Sequence, residues 1–305
     1  MCPVPAPLTL PDPLSERPLA LTDARAVVEV MAAQEAHDTG EVSIEEADIL
    51  GDWGRPSYDV GAGTVGVFDG DRLVAYAEMM GADRGDAAVH PEYRGRGIGT
   101  AIAGWMQAKA REAGSPVIGM PVPQGSPGDR LLEALGYHVR WQSWVLRLPA
   151  DTEIAARDLP PGYTLREATP ADHAACWSVV EDAFLEWSKR DRMPLDDWLA
   201  TVVGRPGFEP WNLRVVTDPA GEVVGATQVF LANGVEGYIN KVATRRDQRG
   251  LGLGQALLVD AFEAARAHGA TSSALDTDSR TGALGLYEKV GMVVHSTWVN
   301  RAINV

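Results

Sequence analysis

Cysteine is scarce: Cys2 and Cys176 are the only two in 305 residues. That excludes a disulfide framework and fits a reducing, cytoplasmic setting. Cys176 falls in an apolar helical stretch, where a free thiol serves as small buried packing rather than as a nucleophile. Metal-ligand spacing is missing too. The six histidines, His37, His90 and His138 among them, are dispersed, so no metal site is expected. No apolar run approaches the ~20 residues needed to cross a bilayer. Met1 to Pro18 is proline-rich and lacks the basic start and apolar core of a signal peptide. We expect no membrane association and read residues 1–18 as a tail or extended arm. Positive charge is short: 27 Lys and Arg face 42 Asp and Glu, a net −15. Both halves are acidic, which disfavours nucleic acid as a partner. Two nucleotide signatures are absent as well: Gly-Lys-Ser/Thr of the P-loop, and the dinucleotide fingerprint Gly-x-Gly-x-x-Gly with its acidic strand end.

What is present is a glycine-rich hexapeptide that occurs twice, as Arg94-Gly95-Arg96-Gly97-Ile98-Gly99 and as Arg249-Gly250-Leu251-Gly252-Leu253-Gly254. Each copy follows a short strand pattern, Asp86 to Pro91 or Tyr238 to Thr244, and opens an amphipathic helix pattern. A strand, a glycine turn and a helix N-terminus present unpaired N–H groups to an anion such as a diphosphate. An isolated copy can equally be a tight turn without a ligand. The second landmark is a short helix closed by glycine, Leu131 to Tyr137 in one half and Leu286-Tyr287-Glu288-Lys289-Val290-Gly291-Met292 in the other. Arg94 to Arg249 and Gly136 to Gly291 are both 155 positions. Two landmarks at one offset indicate duplication of a whole domain. A linker over 151–162, containing Pro160-Pro161-Gly162, divides a domain at 19–150 from one at 163–305. The length suits two such domains.

Both halves resemble GCN5-related N-acetyltransferase (GNAT) domains, whose acetyl-CoA signature is Arg/Gln-x-x-Gly-x-Gly/Ala. The Leu-Tyr-Glu-Lys-x-Gly-Met stretch is similar to the last helix of that family. The resemblance covers about residues 15 to 305. It implies an α+β fold: two tandem domains, each a mixed, mostly antiparallel twisted sheet flanked by helices. It also implies acetyl-CoA as co-substrate and a small-molecule amine as acceptor. In the family a tyrosine on the last helix commonly protonates the departing thiolate, and Tyr287 stands in that place; the offset puts Leu132 there in the first half. The C-terminal half is therefore expected to be catalytic. Tyr287 can also be read as a core-facing aromatic. Glu236, which shares a strand face with Tyr238 and Asn240, is the candidate base, with a solvated strand-end carboxylate as the other reading. Glu181, Glu186, Asp276 and Asp278 are lesser candidates. The resemblance assigns the pantetheine arm to the backbone of Val242, Ala243 and Thr244, the diphosphate to Arg249 through Gly254, and an outer contact to Ser279. The first half, with Ala87, Ala88 and Val89 and an intact Arg94 to Gly99 turn, could hold acetyl-CoA too. Trp177, Phe184, Trp187 and Trp198 line the acceptor cleft or are core. A non-catalytic acyl-CoA sensor and a peptide N-acetyltransferase are the competing functions. An exposed final strand leaves room for a homodimer.

Overall fold

The structure, a computed structural model, describes residues 8–305; Met1 to Pro7, with Cys2 and the start of the expected tail, lie outside the described residues. It divides into two compact units. One holds the described residues up to Trp53, then Ser57–Gln142 and Thr297–Val305; the other holds Gly54–Pro56 and Ser143–Ser296.

In the first unit the elements run β1 (Ser15–Arg17), α1 (Ala24–Asp38), α2 (Glu46–Trp53), α3 (Val60–Gly63), β2 (Thr64–Asp69), β3 (Arg72–Met79), β4 (Gly85–Val89), α4 (Ile98–Glu112), β5 (Val117–Pro123), α5 (Pro127–Ala134) and the start of β6 (His138–Leu148). Strands β1 to β4 form an antiparallel sheet in chain order. β4 meets β5 only at the parallel bridge Arg84↔Gly119. Leu73 to Ala77 are all buried, because helices cover both faces. Val74 and Ala77 pack with Ile98, Ile102 and Trp105 of α4. Leu73 and Tyr76 pack with Val27, Val30 and Trp53 of α1 and α2. The expected tail is partly structured: β1 pairs with β2, Ser15 opposite Phe68, and Leu8, Leu10 and Leu14 lie against the α4-side core.

In the second unit the elements are the end of β6, β7 (Thr164–Glu167), α6 (His173–Phe184), α7 (Leu195–Val202), β8 (Leu213–Thr217), β9 (Val223–Ala232), β10 (Glu236–Thr244), α8 (Leu253–Ala267), β11 (Ser272–Asp278), α9 (Leu284–Glu288) and the start of β12 (Val293–Asn304). β7 to β10 are antiparallel. β10 and β11 run parallel, and β11 pairs antiparallel with β6. α8 covers one face through Leu258, Phe262 and Ala265, and α6 and α7 cover the other through Val180 and Trp198. Cys176 is buried in that second cluster, and burial pushes its thiol up to about 12, which suits packing.

At the first helix entry Asp23 accepts the Ala20 N–H at 2.9 Å. Ser43 gives its N–H to Glu35 at 2.7 Å.

The two last strands cross the linear division at 150 and 163. Residues 143–148 of β6 pair with β11 in the second unit, and residues 298–304 of β12 pair with β5 in the first. Strand hydrogen bonding goes to the nearest open edge, whatever the chain order. Arg301 anchors this return. It is 8% exposed. Its Nε donates to Asp129 at 2.6 Å and its Nη groups reach the Tyr137 carbonyl and Glu133, each at 3.2 Å. Arg301→Met leaves the Asp129 carboxylate buried without its cation. We expect a loss of about 3 kcal/mol in urea unfolding of the first unit. A loss below about 0.5 kcal/mol would show that the terminal strand is not integral to that unit.

Candidate active site

β10 and β11 form a fork. They pair only from Glu236 with Ser272 to Tyr238 with Ala274, then part. Just beyond, β10 carries a bulge between Ile239 and Lys241. An extra residue reverses the alternation of faces. Ile239 and Val242 consequently both face α8, while Ala243 faces α6. The Arg245 N–H goes to the Val224 carbonyl of β9 at 2.8 Å. Alternate residues of an antiparallel strand bond to the same side, so Ala243 also bonds toward β9, and Val242 and Thr244 turn their N–H groups into the fork. Among the described residues neither finds an acceptor there.

The first unit differs at the same register. His90 donates to the Val74 carbonyl of β3 at 2.9 Å. Ala88 therefore bonds toward β3, and Ala87 and Val89 point into the gap beside β5. Both donors are already taken: Ala87 by the Asp86 carboxylate at 2.8 Å, Val89 by the Gln34 side-chain carbonyl at 3.0 Å. Ala87 and Val89, with Ala88 between them, thus present an edge whose outward donors are satisfied within the unit. A strand edge whose donors are satisfied has none to offer an incoming arm.

The glycine turns match each other. Gly95 and Gly97 have φ of +76° and +85°, and Gly250 and Gly252 of +81° and +82°. Side chains would have open space at all four, so backbone conformation alone requires glycine. Among the described residues none accepts from the N–H of Gly250, Leu251, Gly252, Leu253 or Gly254. Leu253 is buried and Leu251 exposed, as a turn presenting only its backbone needs. The arginines brace the turns. Arg249 forms a two-pronged pair with Glu186 at 2.7 and 2.9 Å, and Arg94 does so with Asp38 at the same distances. Each also reaches the last strand carbonyl, Thr244 or Val89, at 3.3 Å. Arg96 lies over the Tyr93 ring, 4.6 Å from its centre. The third glycines differ: a Cβ on Gly99 would lie 2.7 Å from Leu131, whereas Gly254 has ordinary clearance. Ile98 is buried and Ser279 exposed. A cavity of about 630 Å³ adjoins the root of the second turn, between Val179, Asp182 and Ala183 of α6, Glu186 just beyond it, and Thr244 to Asp247.

Tyr287 sits on α9 among Ile239, Leu258 and Phe262. Burial, and then the charges of Asp276 and Asp278, push its phenol up to about 12, against a hydrogen bond with Thr277. Thr277 lies on the open arm of β11, so the phenol is held beside the fork and protonated at neutral pH. Leu132, its counterpart, is a buried leucine of α5. Glu236 lies in the paired stem of the fork. Arg147 Nε approaches it at 3.0 Å, and Ser272 donates to it at 3.2 Å. The Arg147 contact is an ion pair, not a hydrogen bond. On the same face, the Tyr238 hydroxyl donates to Asp276. Glu181 pairs with Arg190 and Asp278 with Arg280, so these two are occupied, like Glu186. Trp198 is core, and Trp177 gives its indole N–H to the Met193 carbonyl at 2.9 Å. Phe184 and Trp187 pack together 5.3 Å apart, under Lys241 and Arg280 respectively.

Sequence reading missed Gln34 and Asp86 as internal caps, the Asn240 bulge, and the Tyr238–Asp276 contact. All depend on register, which leaves no trace in residue spacing. Among the described residues no group of three or more metal-ligating side chains occurs, and no helix is long and apolar enough to cross a membrane.

The description "Acetyltransferase (GNAT) family" matches residues 28–137 and 173–292, once in each half. A mycothiol acetyltransferase of Thermobispora bispora is 29% identical over 281 residues, covering 88% of this chain and 92% of that one. A GCN5-related N-acetyltransferase from Sphaerobacter thermophilus has a TM-score of 0.74 at 27% identity, with 97% of each chain covered. A tandem GNAT protein from the clavulanic acid biosynthesis pathway shares the fold, with a TM-score of 0.73 at 20% identity over 95% of this chain and 98% of that one.

Proposed function

The chain belongs to the acetyltransferase (GNAT) family, and on that premise we propose that its second unit transfers the acetyl group of acetyl-CoA to the amine of a small molecule, while its first unit binds no acyl-CoA. The observation that carries this reading is the contrast between two strand edges. Val242 and Thr244 have free N–H groups in the fork, and their counterparts Ala87 and Val89 are capped from within.

Val242 and Thr244 would pair with the amides of the pantetheine arm as an added strand does. The N–H groups of Gly250 through Gly254, with the dipole of α8 behind them, would hold the diphosphate. Tyr287 would give its proton to the departing sulfur. Glu236 is one candidate to receive the amine proton on the opposite face, through water, since Arg147 already pairs with it. The mycothiol acetyltransferase relative favours a small-molecule acceptor.

Calorimetric titration with acetyl-CoA should give one equivalent per chain, and adding primary amines should release free CoA thiol. Two equivalents would refute the assignment of the first unit. Binding without release for any amine would make the protein a sensor.

A further inference from the structure

We propose that Asp276, held by the Tyr238 hydroxyl, receives the acceptor as a cationic primary ammonium at the mouth of the fork and takes its proton. The proposal rests on the reading of the second unit as the acetyl-transferring one. Its first support is position. Tyr238 and Ala274 are the last paired residues of β10 and β11. Two residues on, Asp276 is the first side chain of β11 beyond the parting on the face that carries Ala274. It is exposed there, while Leu275 and Thr277 turn to the α8 and α9 side with Tyr287. An acceptor at Asp276 and the phenol of Tyr287 thus flank the fork from opposite faces. Asp276 is close enough for its charge to raise the Tyr287 phenol.

The second support is charge. The neighbouring carboxylates are matched by arginine: Asp278 with Arg280 at 2.6 Å, Glu236 with Arg147 at 3.0 Å, Glu181 with Arg190 and Glu186 with Arg249, each at 2.7 Å. Asp276 has no cationic partner among the described residues; its one contact is the Tyr238 hydroxyl. That donor fixes the carboxylate without neutralising it. The Tyr238 ring packs at 5.5 Å against Phe230, whose face is covered by Arg205 at 3.8 Å, so the aromatic pair braces the Tyr238 hydroxyl.

In the step that follows, the carboxylate of Asp276 takes one proton from R–NH3+ and becomes a carboxylic acid. The freed electron pair bonds to the thioester carbonyl carbon, and the carbon–sulfur bond breaks. The sulfur takes the Tyr287 proton. The second nitrogen proton returns through water to the Tyr287 oxygen, and Asp276 releases its proton to solvent. One ammonium and one thioester give one amide, one thiol and one proton.

The test compares Asp276→Asn with Glu236→Gln on two acceptor sets: primary alkylamines, cationic at neutral pH, and weakly basic amines such as O-methylhydroxylamine, neutral there. Acetyl-CoA affinity is measured alongside by calorimetry. For Asp276→Asn we expect affinity for acetyl-CoA within about two-fold of wild type, kcat/KM on alkylamines down about 100-fold, and little loss on neutral amines. Equal loss on both sets would mark a structural role and overturn the proposal. So would full alkylamine activity in Asp276→Asn with loss in Glu236→Gln, which would give the proton to Glu236. Wild-type protein that binds acetyl-CoA and acetylates neither set would remove the underlying reading, and this proposal with it.

Discussion

Tyr287→Phe should lower kcat by about 100-fold or more while leaving the KM for acetyl-CoA near the wild-type value. The expectation comes from where the phenol stands. Its ring is enclosed by Ile239, Leu258 and Phe262, so phenylalanine keeps the packing. Only the hydroxyl is lost, so stability should change little. A thiolate leaving into this enclosed arm of the fork needs a proton, and a phenol pushed up to about 12 carries one throughout the useful pH range. Wild-type activity should accordingly show no alkaline fall from this group below about pH 10. The measurement is steady-state release of CoA thiol by both forms across pH. An unchanged kcat in Tyr287→Phe would return the residue to a packing role.

Substitution in the two glycine turns should separate the halves as sharply. Gly252→Asp should weaken acetyl-CoA binding by at least ~100-fold, whereas Gly97→Asp should leave it unchanged. Both glycines cap a helix in the left-handed region, at +82° and +85°, and both have open space around a new side chain. The conformational penalty is then similar in the two, about 1–2 kcal/mol. What differs is the use of the turn. At Gly252 a carboxylate would sit among the free N–H groups of Gly250 to Gly254, where a diphosphate should lie, and would repel it. At Gly97 the turn leads to a strand edge closed by Gln34 and Asp86. Calorimetry on both variants decides the matter: equal losses would mean that both turns bind, and no loss in either would place the cofactor elsewhere.

The family match falls in both units. Matching a turn is a weaker condition than offering a site. The hexapeptide is kept in both copies because it terminates a strand and starts a helix, and each arginine braces its turn to an acid at or just beyond the end of α1 or α6. Those are folding duties that a non-binding unit still needs.

Short-range chemistry was legible in the residues alone. Positive φ at the second and fourth positions of the hexapeptide calls for glycine, helix stripes follow from a period of 3.6, and one offset of 155 aligns both landmarks. The tyrosine-for-leucine difference at 287 and 132 was visible for the same reason. What only the folded chain decided lies between residues far apart in sequence. Whether a strand donor is free depends on the register of its neighbours and on side chains as remote as Gln34 is from Val89, a separation of 55. The home of the terminal strand, the reversal at Asn240 and the lack of a cationic partner for Asp276 among the described residues belong to that class. Backbone conformation is set by each residue and its immediate neighbours, whereas hydrogen-bond partners and counter-charges are set by whatever packing brings alongside.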